Sequence, residues 1–90
     1  MEGWQYMRDV WDALVDPTRR EILKLLKKRD LSAGELFNYF DITKPSLSHH
    51  LSILKQAQLV TFKKNGQSII YSLNTKALNE VSDYIRCLRK

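Results

Sequence analysis

Ninety residues with 15 Lys and Arg against 10 Asp and Glu leave a formal net charge of +5, which favours a polyanionic partner over an acidic substrate pocket. No apolar run approaches the ~20 residues that span a bilayer, and the first residues lack the basic-then-apolar pattern of a signal peptide. A single cysteine, Cys87, closes no intramolecular disulfide, as suits a reducing compartment, so a cytoplasmic chain forming one domain over residues 1–90 is expected.

In chain order, Trp4, Met7, Trp11 and Leu14 recur at spacings of three, four and three, which stacks them on one face of a first helix. Leu78, Val81, Ile85 and Leu88 repeat those spacings near the other end. At about 100° per residue each set fits within an arc of roughly 80°, narrow enough for a helix-to-helix seam. A chain of this length buries little core, so sharing apolar surface with a second copy would help it. Trp4, Met7, Trp11, Leu78, Val81, Ile85 and Leu88 are therefore the expected homodimer contacts.

Asp16-Pro17 announces a second helix, with Asp16 able to cap free N–H groups and Pro17 where its missing N–H costs nothing. Ile22, Leu23, Leu25 and Leu26 supply its buried side. Arg19 and Arg20 fall in its first turn, against the helix dipole, and a salt bridge to Asp12 is expected there in preference to a phosphate contact.

Ser32-Ala33-Gly34-Glu35 is a capping box opening a short helix that carries Leu36, Phe37 and Phe40. Asp41-Ile42 makes a turn and Thr43 caps the next helix, with Lys44-Pro45 in its first turn. Two helices separated by so few residues cross steeply, the helix-turn-helix arrangement. On a helical wheel Leu47, Leu51 and Leu54 lie inside, Ile53 and His50 on the flank, and Pro45, Ser48, His49, Ser52 and Gln56 outside. That outer face is short, uncharged and rich in donors and acceptors, as contact with base edges requires. His49 points outward, whereas His50 points toward the core flank and is expected to be a buried imidazole hydrogen-bonded to backbone, in preference to a base contact or a metal ligand. Lys44 and Ser46 join the contact set because the first turn penetrates deepest in such motifs.

Residues 60 to 64 and 68 to 73 are β-prone, and Asn65-Gly66 between them is a strong hairpin signal. Val60 and Phe62 alternate with Thr61 and Lys63, so one face can pack. Lys63, Lys64 and Gln67 bracket the tip, placed for flanking phosphates. Asn74 then caps a last helix. The expected fold is mainly α with a β-hairpin wing, a winged helix-turn-helix of order ααααββα, dimeric through its first and last helices.

With these residues in hand, the chain resembles the ArsR family of bacterial winged-helix repressors. The matching signatures are Asp-Pro-Thr-Arg at 16 to 19 with Ile22-Leu23, Glu35-Leu36, Ser48-His49-His50-Leu51, Leu59-Val60, and Gly66 with Tyr71-Ser72-Leu73. Within the family it is most similar to small autorepressors that lack a metal site. The resemblance implies a homodimer joined through the first and last helices on an inverted-repeat operator. Gln58 departs from the family's usual glycine at the end of the recognition helix, where a left-handed cap costs Gln more. Metal sensors of the family place paired cysteines on the helix before the turn, which here reads Glu35-Leu36-Phe37-Asn38-Tyr39-Phe40. The last helix offers Asp83 and Glu80 with no histidine after His50, and the lone Cys87 is a poor ligand set for zinc. No metal and no other cofactor is expected.

An enzyme is disfavoured: no nucleophile, base and oxyanion donor cluster, and no phosphate loop is present. The alternatives to a DNA-binding repressor are a sensor of an unrecognised effector or of oxidation at Cys87, and a winged-helix module that binds protein.

Overall fold

The computed structural model describes the backbone of residues 2–89 and the side chains of residues 7–89. Its elements run α1 (Glu2–Leu14), α2 (Pro17–Lys28), β1 (Leu31–Ser32), α3 (Ala33–Phe37), α4 (Lys44–Gln56), β2 (Val60–Asn65), β3 (Ser68–Leu73) and α5 (Thr75–Arg89). The expected order holds with one addition, β1. Leu31 and Ser32 pair antiparallel with Tyr71 and Ile70, so the sheet has three strands in the order β1-β3-β2.

Local chemistry accounts for most boundaries. Asp16 at φ −87° accepts the Arg19 N–H at 3.0 Å and caps α2 with Pro17 just inside. The capping box is complete: Ser32 Oγ accepts from Glu35 N at 3.0 Å, and Glu35 Oε1 accepts from Ser32 N at 2.9 Å. Thr43 Oγ1 accepts from Ser46 N at the start of α4, and Asn74 Oδ1 from Ala77 N at the start of α5. Each such cap contributes about 1 kcal/mol.

The core lies where α1, α2, α4 and the sheet converge. Ile22, Leu31, Leu36, Leu54, Leu59 and Val10 are its largest fully buried side chains, with Leu47, Leu51, Tyr71, Ala77 and Val81 packed beside them. Burying each large aliphatic contributes roughly 1.5–3 kcal/mol. Val81, expected on the seam between copies, is thus drawn into its own chain's core. Leu78 is half-buried, while every residue from 82 to 89 is exposed, Ile85 at 44% and Leu88 at 67%. The second half of α5 therefore leaves the core. Met7 and Trp11 are half-buried on α1, and the Trp11 ring lies 6.3 Å from that of Tyr84 on α5. The side chain of Trp4 falls outside the described residues.

Candidate nucleic-acid interface

Gln58 settles how α4 ends and the hairpin begins. Its φ is 60°, the left-handed cap that the family's glycine would supply. Its N–H reaches the Lys55 carbonyl at 2.9 Å and the Leu59 N–H reaches the Leu54 carbonyl at 3.1 Å, the paired bonds of a Schellman stop. The cost of that conformation is offset by Asn74, whose Nδ2 donates to the Gln58 carbonyl at 2.7 Å and whose N–H donates to the Leu59 carbonyl at 3.0 Å. One residue thus closes the base of the wing while capping α5.

At the tip, Asn65 pairs with Ser68, so the two-residue turn is Gly66-Gln67, one position later than Asn65-Gly66. Gly66 has φ 65° and Gln67 a negative φ, the II′ pattern that matches strand twist. Strand register puts Phe62 and Lys64 on one face with their partners Tyr71 and Ile69, and Lys63 on the other face with Ile70. Phe62 packs less than its alternation predicts: it is 53% exposed, 6.2 Å from the Tyr71 ring, because the hairpin runs past the end of the core.

On α4, Pro45, Ser48, His49 and Ser52 are exposed together, with Lys44 exposed in the first turn and Ser46 half-buried beside it. Leu47, Leu51 and Leu54 point inward as their spacing predicts. The helix carries no carboxylate. Lys63, Lys64 and Gln67 are all exposed on the wing. A groove of about 430 Å³ separates α3 from α4, with Phe37, Leu47 and Leu51 on its walls and Lys44 and Ser48 at its edge. The Lys44 Nζ stands 5.6 Å over the Phe37 ring.

The opposite flank of α4 is held by Arg19. Its Nε and Nη2 donate to the Ala13 and Asp12 carbonyls at 3.0 and 2.9 Å, and Arg20 donates to the carbonyls of Leu14 and Val15. The expected salt bridge to Asp12 gives way to these bonds because the last carbonyls of α1 have no helical partners and form the negative end of its dipole. Arg19 Nη1 also lies 3.1 Å from His50 Nδ1, and Asp16 Oδ2 lies 3.8 Å from the same nitrogen. Because arginine only donates, Nδ1 accepts in this arrangement. His50 faces the core flank but is half-buried where full burial is expected, and its partners are side chains of α2 and its cap rather than backbone. Burial pushes the Asp16 carboxyl up, yet the Arg19 N–H and the Arg19 charge outweigh it and hold it below its ordinary value.

Two residues outside the set singled out from the sequence also shape this surface. Asn74 is legible as a cap but not as a clasp on Gln58. Lys55, in the last turn of α4, is set over the Phe62 ring at 4.2 Å, a contact whose only sequence signal is its place on the wheel beside Lys44 and Ser48. Among the described residues no group of three or more His, Cys, Asp or Glu converges, and Cys87 is exposed.

Two helices joined by the short turn between Phe37 and Lys44, a polar outward helix face and a basic hairpin define a winged helix-turn-helix. A family model described as bacterial regulatory protein, arsR family, matches residues 16–61. The chain is 53% identical over 74 residues to the transcriptional repressor SdpR of Bacillus subtilis (strain 168), spanning 82% of each chain. It is 39% identical over 83 residues to the arsenical resistance operon repressor of Staphylococcus xylosus, spanning 92% of this chain and 76% of that one. Among solved structures, the ArsR-like transcriptional regulator from Rhodococcus sp. RHA1 superposes with a TM-score of 0.85 at 28% identity, covering 98% of this chain and 83% of that one. The chain belongs to the arsR family of bacterial regulatory proteins. It is a transcriptional regulator, of the repressor kind by its relatives, and not an enzyme.

Proposed function

We propose that this chain is a cytoplasmic, single-domain repressor that binds an inverted-repeat DNA operator as a homodimer, without a metal cofactor, and acts by occupying a promoter. The observation that carries the reading is the outward face of α4, exposed, polar and free of carboxylates beside a basic wing. Lys44, Pro45, Ser46, Ser48, His49 and Ser52 enter the major groove, where Ser and His bond base edges. Lys63, Lys64 and Gln67 meet the flanking backbone. The second copy docks on α1 and α5 through Trp4, Met7, Trp11, Leu78, Ile85 and Leu88, with Val81 backing the seam from within the core. Supporting this, α5 lines an open groove of about 360 Å³, with Leu78, Val81 and Ile85 on its apolar side and Ser82, Arg86 and Arg89 on its polar side. No helix among the described residues is long and apolar enough to cross a membrane.

Selection of bound sites from random duplex DNA tests the reading. Enriched sites should be two-fold symmetric, with half-sites one helical turn of about 10–10.5 bp apart or a multiple of it. Binding should survive chelator, and untagged protein should carry no stoichiometric zinc, nickel, copper or cobalt. No enrichment over input DNA would remove the DNA reading, and a tenfold loss of affinity on chelation would remove the metal-free one.

A further inference from the structure

The cations placed above on the DNA-facing surface leave a gap between Lys44 in the first turn of α4 and the hairpin tip, and Lys55 stands in it. At 100° per residue Lys44, Ser48, Ser52 and Lys55 fall within an arc of about 80°, a polar rail along one edge of the helix. Lys55 is half-buried, and its Nζ lies 4.2 Å from the centroid of the Phe62 ring at the base of the wing. Among the described residues no carboxylate pairs with it: Glu35 is taken by Arg29 and Asp83 by Arg86, and Asp16 lies beside His50. A long lysine normally loses rotamer freedom when it grips a ligand, and the ring holds this one in place beforehand. An ammonium group has three donors, and one face against a ring leaves donors for an anion. Strand alternation puts Lys64 on the same face of β2 as Phe62, two residues further and so about 7 Å along the strand. Lys55 and Lys64 therefore flank Phe62 on one side of the wing.

We propose that Lys55 is a phosphate-binding residue positioned by Phe62, and that Lys55 and Lys64 hold neighbouring phosphates of the strand that passes between recognition helix and wing. The proposal rests on the DNA-binding reading above. Phe62 is a positioning residue in it, and Lys63, on the other face of the hairpin, meets the backbone independently of this pair.

Affinity for an enriched site and for a random duplex, measured across a salt series, tests it with Lys55→Ala, Lys55→Gln, Lys55→Arg, Phe62→Leu and the Lys55→Gln/Phe62→Leu pair. Lys55→Ala and Lys55→Gln should weaken both DNAs by the same factor and lower the salt slope by roughly one unit, at unchanged thermal melting, while Lys55→Arg keeps the slope. Phe62→Leu should weaken binding in the wild-type background and add little once Lys55 is Gln. An unchanged slope in Lys55→Gln protein that melts normally overturns the phosphate role. Additive losses in the pair overturn the positioning role of Phe62. Wild-type protein that binds neither duplex overturns the DNA reading itself, and the two failures are told apart by that first measurement.

Discussion

Gln58 occupies a left-handed conformation in which a Cβ crowds the backbone, at about 1–2 kcal/mol for an ordinary residue. Replacing it by glycine removes that strain but loosens the unfolded chain, so Gln58→Gly should raise unfolding stability by roughly 0.5–1 kcal/mol. Urea denaturation of the two proteins checks this, and a loss of stability would mean that the Gln side chain itself supports the cap. The carboxyls at two other caps give a pH signature. Asp16 is held below its ordinary value of 3.8 although burial pushes it up, and the Ser32 N–H, followed by Arg29, holds Glu35 below 4.5. A carboxyl depressed in the folded chain contributes stability that is complete above its ordinary value and is lost as the pH falls through its folded one. The contribution of these two carboxyls to the melting temperature should therefore be complete above pH 4.5 and fall as the solution is acidified further. Asp16→Asn, which keeps the cap but not the charge, should flatten part of that limb.

At the level of elements, α4 predicts two kinds of DNA-binding mutant. Ser48→Ala and His49→Ala should each reduce the preference for operator over random duplex by about 1–3 kcal/mol if they read bases, whereas Lys64→Ala should weaken all sequences alike. His50→Ala, through Arg19 and Asp16, should act on thermal stability and leave discrimination intact. Loss of discrimination from His50→Ala at full stability would reverse the assignment of faces. The helices were legible because their caps and apolar spacings are local: Asp16, Ser32, Thr43 and Asn74 each sit within three residues of the N–H they satisfy. β1 was not, since two residues have no periodicity and Leu31 becomes a strand only by meeting Tyr71 from far along the chain. The same holds for Arg19. Asp12 is an obvious partner by charge, but the orphan carbonyls at the end of α1 compete for the guanidinium, and only the crossing of α1, α2 and α4 brings His50 within reach. Phe62 failed its alternation because packing needs a neighbour as well as a face, and the hairpin outruns the core.

For the molecule as a whole, the outer half of α5 carries Tyr84, Ile85 and Leu88 into solvent, and a helix end this short is marginal without tertiary support. A second copy on this side would cover it. Ile85→Asp should therefore weaken self-association and operator binding together, because a charge in an apolar seam loses hydration without a partner and a monomer grips one half-site. Sedimentation velocity beside operator titration checks both. A dimer of unchanged strength would move the interface off α5. The clasp at Asn74 has a different kind of consequence. Since Leu59 and Asn74 are joined across the neck of the hairpin, everything between them is a closed loop whose two ends are pinned to the body. Residues added or removed at its tip in pairs should therefore leave both flanking helices undisturbed. The reach of the wing is in that sense a separable part, open to exchange while the reading helix and the rest of the body stay as they are.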